Sequence, residues 1–120
     1  MSKKVVEMNN KKVAIKKWTE NETIEWGVTT VEFFIRDKEI LFGNLKVPPK
    51  SSAPLDEGHP NGEYVFVKEG QATIILSKDK KEIAQVKVKK GEGMLIPEKL
   101  DHQTLNSSDG EVSLIFFIQL

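Results

Sequence analysis

Residues 57–70 read EGHPNGEYVFVKEG and residues 91–106 read GEGMLIPEKLDHQTLN. Between them they hold the two histidines of the chain, His59 and His102. In an extended segment Glu57 and His59 stand two positions apart and point to the same side. Pro60-Asn61-Gly62 is strong turn chemistry, and it lets Glu63 open the next strand facing the same space. Two carboxylates and an imidazole within these seven residues form a first shell suited to a divalent cation. From Glu63 to Val67 the pattern is that of a strand. Glu69-Gly70-Gln71 then signals a hairpin, with Ala72 to Ser77 as the returning strand.

The same period of two extends outward in both directions. Val13, Ile15 and Lys17 alternate with Ala14, Lys16 and Trp18. Val28 to Arg36 is rich in β-branched and aromatic residues, and Ile40 to Val47 follows the turn-like Asp37-Lys38-Glu39. Glu82 to Val88 alternates again, Gly91 to Ile96 leads into Pro97, and Val112 to Leu120 closes the chain. Short strands separated by regular turn signals predict an all-β sandwich or barrel. Thr19 to Trp26 is the one segment with a helical turn in prospect, and it lacks an apolar stripe. Pro48 to Gly62 carries four of the five prolines. A loop of that length in a small domain is commonly functional.

Composition bounds the rest. The chain has 120 residues, a length that fits one domain over 1–120. Hydrophobic residues make up 38% and charged residues 30%, with 18 basic against 18 acidic side chains and a formal net charge of zero. Such a balance lacks the basic field that drives nucleic-acid binding, so no nucleic-acid partner is expected. The absence of cysteine excludes disulfides, thiolate nucleophiles, zinc fingers and iron–sulfur clusters. No run of 18 apolar residues is present, so no membrane span is expected. No apolar core follows the Lys-rich start, which argues against a signal peptide and for a cytoplasmic protein. No P-loop, GxGxxG motif or nucleophile elbow is found, and the serines lack partners placed to activate them. Arg36, beside Asp37 and Glu39, reads as a surface residue, Lys78 to Lys81 as a solvated hairpin tip, and Trp18 and Trp26 as packing residues.

The two quoted stretches resemble the paired motifs of the cupin superfamily. The first motif, G(x)5HxH(x)3–4E(x)6G, is met in its second half by His59, Glu63 and Gly70. The second, G(x)5PxG(x)2H(x)3N, is met by Gly91, Pro97, His102 and Asn106 at every interval. Two positions depart from the pattern: the first metal histidine falls at Glu57, and the glycine after the proline falls at Lys99, which suggests a different turn there. The resemblance implies a double-stranded β-helix, or jelly-roll β-barrel, with one divalent metal per chain held by Glu57, His59, Glu63 and His102. Two carboxylates neutralise such an ion, which weakens its Lewis acidity and favours manganese over copper, with nickel, zinc and iron also open. In this frame Glu63, Val65, Val67, His102 and Thr104 face inward, while Tyr64, Phe66, Gln103 and Leu105 face outward. Tyr64 and Phe66 are then covered either by the second sheet or by a partner subunit. Cupins of this size resemble homodimers with an exchanged N-terminal strand, so residues 1–12 are expected to be an exchanged strand or flexible, and Val28 to Leu41 suits an interface.

Two functions follow from the resemblance. One is a metal-dependent enzyme acting on a small oxygenated molecule such as a keto acid or sugar acid, by isomerase, lyase, decarboxylase or, with iron, dioxygenase chemistry. Glu57 is its candidate acid–base, as the residue at the variant position. The other is a non-catalytic module that binds a sugar or metabolite.

Overall fold

The computed structural model describes residues 21–120 in full, together with the backbone of 4–8 and 11–15. Twelve strands follow one another without a helix among the described residues: β1 Lys4–Met8, β2 Lys11–Ile15, β3 Glu22–Trp26, β4 Thr29–Arg36, β5 Ile40–Val47, β6 Ser51–Ser52, β7 Glu63–Glu69, β8 Gln71–Lys78, β9 Lys81–Lys89, β10 Gly93–Ile96, β11 Asp101–Asn106 and β12 Val112–Gln119. No helix of the described residues is long and apolar enough to cross a membrane. β1 and β2 pair with each other in antiparallel register, from Lys4↔Ile15 to Met8↔Lys11. The expectation of an exchanged strand or a flexible segment concerns residues 1–12, of which 1–3, 9 and 10 lie outside the described residues, as does Trp18.

The other strands form two antiparallel sheets. One is ordered β10-β7-β12-β5-β4-β3 and the other β6-β11-β8-β9. Strand alternation places one face of each sheet against the other. Val65 and Val67 of β7, Leu114, Phe116 and Ile118 of β12, and Leu45 and Val47 of β5 meet Ala72, Ile74 and Leu76 of β8 in a single core of buried residues. Phe33 and Phe116 close that core edge to face, with ring centroids 5.9 Å apart. The expected inward set, Glu63, Val65, Val67, His102 and Thr104, is buried, and Tyr64 and Phe66 are exposed.

The helical turn expected near Thr19 to Trp26 is a strand where it is described. Glu22 to Trp26 pairs in antiparallel register with β4, from Glu22↔Phe33 to Trp26↔Thr29. Thr23, Ile24 and Trp26 are β-branched or aromatic and fit a pleated surface, and Gly27, at φ 62°, turns the chain back at once. Asn106, the last residue of the second motif, serves the fold. Its buried amide donates to the carbonyls of Val47, Pro48 and Gly110 at 2.8–3.0 Å, tying the end of β11 to the end of β5.

Candidate metal centre and cavity

Two sheets and one loop bring the site together. Glu63 is the first residue of β7, in the larger sheet, and His102 is the second residue of β11, in the smaller. Both are buried, at 5% and 4% exposure. The loop before β7 contributes the rest. Asp56 forms an isolated antiparallel bridge with His102, its N–H donating to the His102 carbonyl at 2.8 Å and its carbonyl accepting from the His102 N–H at 2.9 Å. Residues paired in this way project their side chains to the same side, so Asp56 joins His102. His59 follows after Gly58, whose backbone lies against Lys99; a Cβ on Gly58 would stand 2.4 Å from the Lys99 carbonyl carbon. The Lys99 N–H donates to the His59 carbonyl at 2.8 Å.

The four side chains converge. His59 Nε2 is 3.3 Å from Asp56 Oδ2 and 3.5 Å from Glu63 Oε1. His102 Nε2 is 3.4 Å from the same Asp56 oxygen and 3.6 Å from the same Glu63 oxygen. Asp56, His59 and Glu63 alone offer donor atoms all within 4.8 Å of one another. The structure therefore unites three of the four residues expected as ligands, His59, Glu63 and His102. Glu57, the expected fourth ligand and candidate acid–base, is exposed and is absent from the cavity lining. The carboxylate in the cluster is Asp56. The same-side argument for Glu57 and His59 assumed an unbroken extended segment, and the packing of Gly58 on Lys99 interrupts it.

Electrostatics bind the cluster. Burial alone would raise the Glu63 carboxyl, but the His102 and His59 imidazoles overcome it and hold Glu63 below the usual carboxylate range. The Glu63 carboxylate, against the opposing effect of burial and with help from Asp56, pushes His59 upward. Asp56 is raised by its burial, with the histidines pulling the other way. Yet Glu63 Oε1 and His102 Nδ1 are buried without a hydrogen-bond partner. A buried acceptor that faces two imidazoles at 3.5 and 3.6 Å is too distant for a good hydrogen bond. The four separations are instead close to the distance between ligands of one ion, roughly 3.4 Å when each donor sits ~2.1 Å from it; Asp56, His59 and Glu63 form the compact set, and His102 stands beside Asp56 and Glu63. The donor set, two imidazoles and two carboxylates, fits a divalent ion of the manganese, iron, nickel or zinc type.

The cluster lines one part of a cavity of about 270 Å³ between the sheets. Besides Asp56, His59, Glu63, His102 and Thr104, the described side chains lining it are apolar, with Trp26, Phe33 and Phe116 the largest. Trp26, read from sequence as a packing residue, is therefore a wall of the cavity. Asp56 and the apolar lining are the functional residues that the sequence reading missed.

Residues 43–118 match the family model of the cupin domain, and the chain belongs to that family. Among solved structures it is similar to hydroxypropylphosphonic acid epoxidase from S. wedmorenis, with 17% identity and a TM-score of 0.75, over 95% of this chain and 62% of that one. It is likewise similar to FeII HppE, at 18% identity and a TM-score of 0.77 over 90% and 60% of the two chains. The Drosophila melanogaster CENP-C cupin domain matches at 12% identity and a TM-score of 0.74, over 88% and 80%. Likeness at these identities shows the jelly-roll fold, and this chain spans about three-fifths of the epoxidase. No curated protein matches the chain.

Proposed function

We propose that the protein holds one divalent metal ion at Asp56, His59, Glu63 and His102 and brings it to bear on a small molecule in the adjoining cavity. The observation that carries this reading is the convergence of four donor side chains around a buried, unpartnered Glu63 oxygen. An ion bound there supplies a Lewis acid that polarises an oxygen of the bound molecule. The chain does the positioning. Glu63 and His102, fixed in strands and almost fully buried, set two corners of the site, while Asp56 and His59 close it from the loop. Thr104, two residues along the inward face of β11 from His102, adds a buried hydroxyl to the lining.

Support for turnover comes from the metal site and from the likeness to FeII HppE. A second reading, a metal-bearing module that binds without turnover, draws on a different observation. Glu57 lies outside the lining, so every ionisable side chain of the described residues that lines the cavity belongs to the four-residue cluster. A proton-transfer step would have to use one of the ligands themselves.

Element analysis after mild purification is expected to give close to one divalent ion per chain. Removal by chelation should lower Tm, and Mn²⁺ at a hundredfold excess over its Kd should restore about 2.7 kcal/mol, or ~10 °C for a domain of this size. A protein that carries no metal and takes up neither Mn²⁺, Fe²⁺, Ni²⁺ nor Zn²⁺ would overturn the proposal.

A further inference from the structure

The geometry points to an uncharged, largely apolar ligand with a single oxygen-bearing end, in place of the keto acids and sugar acids that family resemblance suggests. The inference rests on the proposed metal-binding reading of the site and concerns what enters beside the ion.

Charge is the first reason. No lysine or arginine of the described residues lines the cavity. Arg36, the lone arginine of the chain, is exposed and held by Glu22 at 2.6 Å. Asp56 and Glu63 together carry two negative charges and balance a divalent ion, so the centre offers an incoming carboxylate no net positive charge. Acid-binding sites ordinarily supply a guanidinium or ammonium partner; among the described residues this cavity has none.

Polarity is the second. A sugar acid brings a hydroxyl on nearly every carbon, and each needs a partner when it leaves water. Away from the cluster, Thr104 provides the one hydroxyl of the lining among the described residues. Each buried hydroxyl left unpaired lowers affinity by about tenfold. Trp26, Phe33 and Phe116 instead form a wall suited to a ring or a branched aliphatic body. The volume, about 270 Å³, falls near the lower end of ligand pockets, roughly 300–1,000 Å³, which suits a one-ring molecule. Polar groups gathered at one end of an apolar cavity fix one orientation: oxygen toward Asp56, His59, Glu63 and His102, body toward the aromatic wall.

Trp26 provides a readout independent of activity. In a Trp18→Phe background it is the sole tryptophan. Acetophenone and 4-ethylphenol titrated into this metal-loaded protein should change its emission saturably, with Kd below about 1 mM. Pyruvate and gluconate at tenfold higher concentration should leave it unchanged. Val31→Phe, which narrows the cavity away from the cluster, should weaken acetophenone binding by at least tenfold while metal content stays at the wild-type level. Tighter binding of pyruvate or gluconate than of the two apolar probes would overturn the inference, as would failure of both apolar probes to bind. Acetophenone binding to a protein that proves unable to take up metal would sustain the apolar-ligand inference and defeat the metal reading alone. Metal uptake with binding only of anions would do the reverse.

Discussion

At the scale of single residues, the cluster makes a sharp distinction between neighbours. Asp56→Ala removes a donor shared by both imidazoles and should lower metal affinity by a hundredfold or more, since even groups that only orient ligands are worth about 10–100-fold. Glu57→Ala removes an exposed carboxylate and should leave affinity within about twofold; equal losses in the two variants, read by competition with a metallochromic chelator, would place Glu57 in the site. His59 adds a pH dependence. Its pKa is raised above 6.5, chiefly by Glu63, and the imidazole must shed its proton to coordinate. In the metal-free protein the stabilising imidazolium–carboxylate pairing is fully present below pH 6.5 and is lost as pH rises through the higher folded-state value. Metal binding runs the opposite way and strengthens over the same interval. The gain in Tm on adding Mn²⁺ should therefore be larger at pH 8 than at pH 6, and a gain independent of pH would remove His59 from the ligand set. His59 and Glu63 were legible from their spacing and His102 from the family motif, and the structure brings these three side chains together. Spacing could not find Asp56, whose direction is set by a bridge to a residue 46 positions away (102 − 56).

At the scale of elements, the site depends on a contact between the loop before β7 and the turn from β10 into β11. Most strands were legible because their faces differ: β7 alternates buried and exposed from Glu63 to Val67, and β11 alternates half-buried and buried from Asp101 to Asn106. β3 was harder to read, since its edge position leaves the inward Ile24 and Trp26 only half-buried and Glu22, Thr23 and Glu25 exposed, which blurs the alternation. The turn at Lys99 was expected to differ from the family's glycine turn. Instead, Lys99 takes φ 63°, the left-handed conformation that glycine enters freely, so the lysine sits on a glycine-type backbone. The left-handed form costs a non-glycine residue about 1–2 kcal/mol, whereas glycine costs ~0.4–1 kcal/mol through the unfolded chain. Lys99→Gly should thus stabilise the protein by about 0.5–1 kcal/mol with metal content unchanged, measured by urea denaturation. Gly58→Ala should do the opposite. Its Cβ would meet Lys99 backbone at 2.4 Å, the loop must move away, and Asp56 and His59 move with it. Metal occupancy should fall strongly although neither ligand has been altered; unchanged occupancy in Gly58→Ala would show that the two loops are not held together by this packing.

At the scale of the whole molecule, the outer face of the larger sheet remains unexplained by one chain. Of the two covers expected for Tyr64 and Phe66, the second sheet is excluded: it packs on the opposite face, and the two side chains are 51% and 55% exposed. They do not stand alone. Strand register sets Leu95 beside Tyr64, Tyr64 beside Phe117, and Phe117 beside Phe42. Phe42 then meets Phe34 edge to face at 5.1 Å. The result is a continuous apolar row across five neighbouring strands, with Phe66 and Ile115 forming a second row beside it. Scattered exposed hydrophobic residues need no explanation, but contiguous rows mark association surfaces. A row running across the strands can meet its own copy about a two-fold axis, the commonest closed symmetry of soluble assemblies. The expected homodimer is accordingly proposed at this face, with Val28 to Leu41 contributing through Phe34. Light scattering at micromolar concentration should give about twice 13.6 kDa. The double variant Tyr64→Lys, Phe66→Lys should give the single mass while keeping its metal, because both side chains lie on the face opposite Glu63 and the core. A wild-type monomer across the concentration range would refute the pairing. A dimer that survives the double substitution would move the interface elsewhere on the barrel.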